Sequence, residues 1–375
     1  MKKCIGPLIS LLTIILSLLA IELYLQAFAP VRDPYQVHKY ANRYVSFQTF
    51  PNLQLMTEVE EGLPGMNGRH HFTTNNLGFR GDDLITPKPD NEYRVFLVGG
   101  STTEGFYLDD RQSLEALLQQ ALNDNLAGDI VVKVYNSGRS GHASDDHNSL
   151  IIHRLAHLEP DMIIYFSGIN DLFKGMSGYD YLHHEDSPPL QDPWPKLGLT
   201  EWQIPRRIYF LLKNINPTDQ QLLETITLRS NYAERVLLQQ SAPVTGQEPE
   251  MNLEAYTIHL QTAVGIAQAH RIQLIFMTQQ TTWNSQVDPE AVNWHHMRYR
   301  NNVTYSEEAL DRALEAYNNI MRQLAVEYDI PLLDLTETMP KSLEYFYDDV
   351  HFNVKGAQAA TEALTRLILE QALIP

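Results

Sequence analysis

Arg94-Val95-Phe96-Leu97-Val98-Gly99-Gly100-Ser101-Thr102-Thr103 is the stretch whose reading decides the fold. A short apolar run that stops at two glycines and a cluster of hydroxyls reads as a buried strand ending in a tight turn. A helix-like stretch, Ser113-Leu114-Glu115-Ala116-Leu117-Leu118, follows it. The same unit then recurs. Ile130-Val131-Val132-Lys133-Val134-Tyr135, Met162-Ile163-Ile164-Tyr165-Phe166, Leu274-Ile275-Phe276-Met277 and Pro331-Leu332-Leu333-Asp334-Leu335 are further apolar runs. Helical stretches lie around Leu150 to Leu158, from about Ser306 to Tyr328, and from about Lys355 to the end. Continuous apolar runs alternating with helices predict a parallel sheet buried on both faces, hence a three-layer α/β/α sandwich.

Outside this alternation the chain changes character. From Ile5 to Ile21 no charge occurs; Lys2 and Lys3 precede the run and Glu22 ends it. At 1.5 Å per residue such a helix covers roughly 25 Å, and Leu23, Tyr24 and Leu25 extend it into the interface. The expectation is a transmembrane anchor at 5–25 with residues 1–4 as a cytoplasmic stub. The cationic flank then places the remainder outside the cytoplasm, on the periplasmic side in a Gram-negative cell. The alternative is a cleaved signal peptide, for which Ala27-Phe28-Ala29 has the residues but Pro30 would follow the cut. Residues 26–90 read as an N-terminal extension of short strands and turns, with Asn75-Asn76-Leu77-Gly78-Phe79 as a turn signal. Between about 173 and 252, Pro, Tyr, Trp and Gln accumulate. A structureless loop of that length is improbable in a compact domain, so this is an insertion with helices expected around Pro205–Leu212 and Asp219–Arg235. The main domain is therefore 91–375, interrupted at about 173–252.

Composition removes other classes. Of 375 residues, 28 are Lys or Arg and 46 Asp or Glu, a net charge of −18. No basic run is present to release counterions from a phosphate backbone, so nucleic acid is not expected as a partner. With 43% hydrophobic and 20% charged residues the body is a folded protein. The single cysteine, Cys4, precludes an intrachain disulfide and a cysteine-built zinc site. Oligomeric state is not read from these features.

Ligands of an open parallel sheet bind at the carboxyl ends of its strands. The segments there are Gly99-Gly100-Ser101-Thr102-Thr103, Asn136-Ser137-Gly138-Arg139-Ser140-Gly141 and Ser167-Gly168-Ile169-Asn170-Asp171, and the loop before the last helix is Asp348-Asp349-Val350-His351. Together they supply a nucleophile, donors and an Asp/His pair, which is the inventory of a serine esterase. Ser101 would attack, His351 would take its proton, and a carboxylate three residues earlier would hold the imidazole. The N–H groups of Ser101 and Gly138 and the side-chain amide of Asn170 are the candidate oxyanion donors.

These four segments resemble the four sequence blocks of the SGNH hydrolases, the GDSL-like esterase and lipase superfamily, in the same order. The resemblance covers roughly residues 91 to 172 and 253 to 375. It implies Ser101 as nucleophile, Gly138 and Asn170 as oxyanion donors, and His351 as base with Asp348 as its orienting carboxylate. It also implies a flavodoxin-like sandwich with a five-stranded parallel sheet. Gly168-Ile169-Asn170-Asp171 fits the Gly-x-Asn-Asp block and Asp348 to His351 the Asp-x-x-His block. The first block departs, with Gly99-Gly100-Ser101 in place of Gly-Asp-Ser.

The expected function is a membrane-tethered serine esterase that forms an acyl-enzyme and needs no cofactor, acting on an ester or an acylated glycan. Two other readings stand beside it: an O-acyltransferase of an envelope polysaccharide, and a non-catalytic glycan-binding accessory protein. Arg80 and Arg139 read as structural ion pairs, with anion binding as the alternative. The histidines, among them His142, His147, His153, His157, His183, His184, His295 and His296, lack a His-Glu-x-x-His pattern and read as solvated side chains, with no metal expected. The aromatics Tyr179, Tyr181, Trp194 and Trp202 either cap the site or form the insertion's own small core.

Overall fold

In a computed structural model, the protein is described at residues 5–29, 38–39, 44–45, 48–59, 62–126, 128–179, 181, 202–212, 236–287 and 289–375. Two compact units emerge, one from residues 1–37 and 183–223, the other from 38–182 and 224–375.

The first unit contains helix α1 (Ile5–Phe28). The second opens with two small antiparallel pairs, His38–Lys39 with Gln48–Thr49 and Gln54–Glu58 with Arg69–Thr73. The main sheet follows, made of β1 (Glu92–Gly99), β2 (Val131–Asn136), β3 (Met162–Phe166), β4 (Gln273–Met277) and β5 (Leu332–Leu333). Its helices are α2 (Ser101–Glu104), α3 (Leu114–Asn125), α4 (Ser144–His153) and α5 (Ile169–Met176). After α6 (Gln203–Leu212), which belongs to the first unit, come α7 (Leu253–His270), α8 (Glu307–Glu327) and α9 (Val354–Glu370).

All four pairings in the main sheet are parallel, and the spatial order is β5-β4-β3-β1-β2. That is the 2-1-3-4-5 order, whose switch point lies between β1 and β3, so a crevice opens at the carboxyl ends of those two strands. The expected five-stranded three-layer sandwich is what the chain forms.

Strand alternation shows why the runs had to be apolar throughout. Val95, Leu97, Ile164 and Phe166 enter a core with Leu118 and Leu122 of α3 and Ala360 and Leu364 of α9. Phe96, Val98, Ile163 and Tyr165 enter the opposite core with Leu150 of α4, Leu260 of α7 and Tyr317 of α8. Successive side chains point to opposite faces, and both faces are covered.

The fifth strand is shorter than the apolar run from Pro331 to Leu335 suggests. Pro331 has no N–H to give and contributes only its carbonyl, which accepts from Phe276 N–H at 2.9 Å. Asp334 leaves the strand to cap the turn Leu335–Thr338, its side chain accepting from Thr336 N–H. The helical stretch around Leu150 to Leu158 is also divided. α4 ends at His153, Arg154 has φ −141°, and Leu155–Leu158 is a 3-10 turn. His153 and His157 are therefore not one turn apart on a single helix. The helix expected at Asp219–Arg235 lies outside the described residues.

Candidate active site

Four chain segments meet at the switch-point crevice. β1 ends at Gly99, and Ser101 opens the single turn α2. Both glycines before it are required by space. A Cβ on Gly99 would meet Thr103 Oγ1 and the carbonyl of Phe166, and one on Gly100 would lie 2.5 Å from Asn170 Nδ2. The Asn170 amide thus packs directly over the residue preceding Ser101. Position 100, where the resembling family carries Asp, has no room here for any side chain while Asn170 stays in place.

His351 Nε2 lies 2.7 Å from Ser101 Oγ, and its Nδ1 lies 2.7 Å from Asp348 Oδ2. The other oxygen of Asp348 accepts the N–H groups of Val350 (2.9 Å) and His351 (2.8 Å), which fixes the carboxylate relative to the imidazole it faces. Asp348 is fully buried. The ring of Tyr347 stacks on His351 at 5.3 Å and 10°, and that of His296 at 6.2 Å and 11°. The imidazole is held by two hydrogen bonds and by parallel aromatic neighbours.

Asp349 has a different role. It accepts from Met297 N–H at 2.9 Å and faces His296 Nδ1 at 3.1 Å, and the imidazole of His296 lowers its pKa against the burial that raises it. His296, Asp348 and Asp349 bring three ligand-type atoms within 4.8 Å of one another. His296 Nδ1 faces Asp349 Oδ1 at 3.1 Å and Asp348 Oδ2 at 3.8 Å, so the imidazole stands between the two carboxylates behind the Ser101–His351 pair.

Asn170 stands in the first turn of α5 and donates through Nδ2 to the carbonyl of His142 at 2.7 Å, leaving its second amide hydrogen uncommitted. Gly138, the other expected donor, is differently engaged. Its N–H goes to Asn136 Oδ1 at 2.9 Å, and it packs so closely that an added Cβ would lie 2.6 Å from Glu104 N. The rest of that loop accounts for its N–H groups one by one. Ser137 donates to Leu97 O, Arg139 to Gly99 O, Ser140 to Glu104 Oε2, His142 to Arg139 O and Ala143 to Asp146 Oδ2. Among the described residues, Gly141 N–H is the one donor of this loop without an acceptor. Gly141 has φ +82°, has open space where a Cβ would stand, and directly precedes the His142 carbonyl that Asn170 holds. Gly138 is the donor expected from the sequence, but its N–H is engaged by Asn136, and the hydrogen bonds of the loop leave Gly141 N–H in its place.

Asp171, next to Asn170, is buried and accepts from Ser144 N–H (3.1 Å), Ser144 Oγ (2.5 Å) and Ser167 Oγ (2.9 Å). Burial outweighs these bonds and pushes its pKa up to about 6. It ties the start of α4 to the end of β3 and so fixes the two segments that carry His142 and Asn170.

The two arginines are structural. Arg139 pairs with Glu104, both buried, and Glu104 also receives the N–H and hydroxyl of Ser140. Arg80 pairs with Asp110 and Glu115 and donates to the carbonyls of Glu104, Gly105 and Leu108. The expectation of solvated histidines holds for His153 and His157 but is overturned for His142, His147, His295 and His296, all buried. His147 packs edge-on against Tyr165, and burial lowers its pKa to about 3. His295 bridges Thr282 Oγ1 (2.7 Å) and Glu307 Oε1 (2.8 Å) beneath the cluster. His183, His184 and Trp194 lie outside the described residues. Tyr179 and Tyr181 contact each other edge to face, and Tyr181 meets His259, while Trp202 is exposed.

The GDSL-like Lipase/Acylhydrolase family profile matches residues 97–359, more than half of the chain. Among solved structures, a lipase/acylhydrolase from Enterococcus faecalis is similar, with 14% identity, a TM-score of 0.42, and coverage of 74% of this chain and 96% of that one. An acetylxylan esterase from Geobacillus stearothermophilus gives 16% identity, a TM-score of 0.41, and coverage of 74% and 94%. No curated protein matches the chain significantly.

Proposed function

The chain belongs to the GDSL-like lipase/acylhydrolase family and is an ester-hydrolysing enzyme, and we propose that it works through Ser101, His351 and Asp348 by way of an acyl-enzyme. The 2.7 Å contact between His351 Nε2 and Ser101 Oγ carries this reading. Ser101 Oγ attacks the ester carbonyl carbon as its proton passes to His351 Nε2. Asp348 holds the Nδ1 hydrogen and stabilises the imidazolium that forms. In this mechanism the tetrahedral oxygen takes its negative charge toward the N–H of Ser101, the N–H of Gly141 and the second amide hydrogen of Asn170. Collapse breaks the bond to the alcohol, which leaves with the proton from His351. Water, deprotonated by the same imidazole, then releases the acid.

The proposal includes a membrane tether. α1 is long and apolar enough to cross a bilayer, and almost none of its surface is covered. Retention of α1 is supported by its use within the fold: Glu22 and Ala29 accept hydrogen bonds from residues 203, 204 and 207, far along the chain. Cleavage after Ala29 would discard those partners. Lys2 and Lys3 orient the anchor with the catalytic unit outside the cytoplasm.

The test is hydrolysis of short acyl esters by the purified full chain, with the acid and any acylated sugar quantified separately. Turnover that persists in a folded Ser101→Ala protein overturns the nucleophile. Acyl groups recovered on a glycan instead of as free acid would reassign the enzyme to transfer.

A further inference from the structure

A single charged side chain ends the apolar run of α1, and it is not left to lipid or water. Glu22 is 3% exposed, and its two oxygens accept the N–H groups of Gln203 (2.5 Å) and Ile204 (2.8 Å) at the start of α6. The third residue of that helix is Pro205, which has no N–H to satisfy. One carboxylate therefore meets every N–H in the first three positions of α6, where an uncapped helix start would leave them unpaired. Gln26 Nε2 adds a bond to Glu22 Oε1 at 2.9 Å, and Arg207 reaches the carbonyl of Ala29 at 2.5 Å.

Depth follows from this docking. Glu22 lies six residues before the end of α1, about 9 Å along the axis, so a bilayer spanned by α1 puts this contact near its outer interface. A carboxylate at that depth is costly unless its hydrogen bonds are met, and so are bare N–H groups. The pairing removes both costs at once. Meanwhile α6 shows apolar surface: Trp202 is 42% exposed, Ile208 51% and Leu211 79%. Ile208 and Leu211 are three residues apart on one face, and Trp202 stands where the helix begins. On α1, the residues on either side of Glu22, Ile21 and Leu23, are exposed as well.

Resting on the tether proposed above, we infer that α6 is a second membrane element: it lies in the outer lipid interface, clamped to the anchor by Glu22, with Trp202, Ile208 and Leu211 against lipid. The insertion thereby returns to the bilayer at the mouth of the anchor, and the occupant of its apolar face is lipid, as expected for an amphipathic helix with an interfacial tryptophan.

The full chain with Cys4→Ser, reconstituted in phosphatidylcholine vesicles, carries an environment-sensitive fluorophore on Leu12→Cys or on Leu211→Cys. Quenching by nitroxide-bearing lipid is read at each position, and turnover of a short ester confirms the fold. The inference predicts quenching at both sites, and a loss of about twofold or more at 211 alone when Glu22→Ala releases α6. Quenching at 12 without quenching at 211 overturns the inference and leaves the anchor standing. An unquenched label at 12 overturns the anchor and this inference with it. Equal quenching at 211 with and without Glu22 removes the clamp.

Discussion

His351 Nε2 and Ser101 Oγ, 250 positions apart in the chain, lie 2.7 Å from each other at the crevice between β1 and β3. Neither residue is positioned alone. Ser101 depends on two glycines that let the chain turn under Asn170, and His351 depends on Asp348, which grips both its ring and its backbone.

Asp348 and Asp349 differ in what they hold, so their amides should differ in effect. Asp348→Asn loses the acceptor for His351 Nδ1–H and is expected to lower kcat about 10⁴-fold, as loss of the orienting carboxylate does in serine triads. Asp349→Asn alters the contacts with His296 and Met297 but leaves the Asp348–His351 bond in place, and is expected to remain within about tenfold of wild type. Steady-state kinetics on one ester decides, and equal losses would show that Asp349 also acts on the base.

Asn170→Ala removes a donor that strengthens only as charge develops, so kcat should fall about 10² to 10³-fold with little change in KM. Gly100→Ala should show the same pattern more weakly, because its Cβ would displace the Asn170 amide. A rise in KM at constant kcat in either variant would assign Asn170 to ground-state binding instead.

Much of this is legible in the sequence. Apolar runs mark buried strands because a parallel sheet covered on both faces admits no polar alternation, and β1 to β4 were read on that ground. β5 was overextended, since a run of hydrophobic letters does not show that Pro331 lacks a donor and Asp334 will cap a turn. The residues beside Ser101 could be named because chemistry at strand ends needs few residue types. That Gly138 N–H is taken up by Asn136 while Gly141 N–H is not could not be read, because it depends on the hydrogen bonds within the loop. The burial of the histidines escapes the sequence for a similar reason. His295 and His296 carry no metal motif, and a sequence does not reveal that they stand behind the loop that holds Asp348 and His351. Glu22 looked like the end of an apolar run, and its partners are some 180 residues away.

Asp171 should leave a signature in stability against pH. Its folded pKa of about 6 lies above the unfolded value of 3.8, so the folded state holds the proton more tightly. The stabilisation from that proton is fully present below about pH 3.8 and is lost as pH rises through about 6, by up to about 3 kcal/mol. Asp171→Asn cannot lose it. Chemical denaturation at pH 4.5 and 7 should show the wild type weakening relative to the variant as pH rises; parallel behaviour would mean that Asp171 is ionised throughout.

Arg139→Met leaves Glu104 buried without its cation and is expected to cost about 3 to 5 kcal/mol in urea denaturation. Adding Glu104→Gln should recover part of that loss, because the uncompensated charge is then gone. A neutral single variant would contradict the structural role and return Arg139 to the list of anion-binding candidates.

The most direct test of the central claim is covalent labelling by a fluorophosphonate, with the adduct located by mass spectrometry. The account predicts a single adduct on Ser101 in the wild-type chain, greatly slowed labelling in His351→Ala, and none in Ser101→Ala. An adduct on any other residue, or a folded, ester-cleaving Ser101→Ala protein, would contradict it.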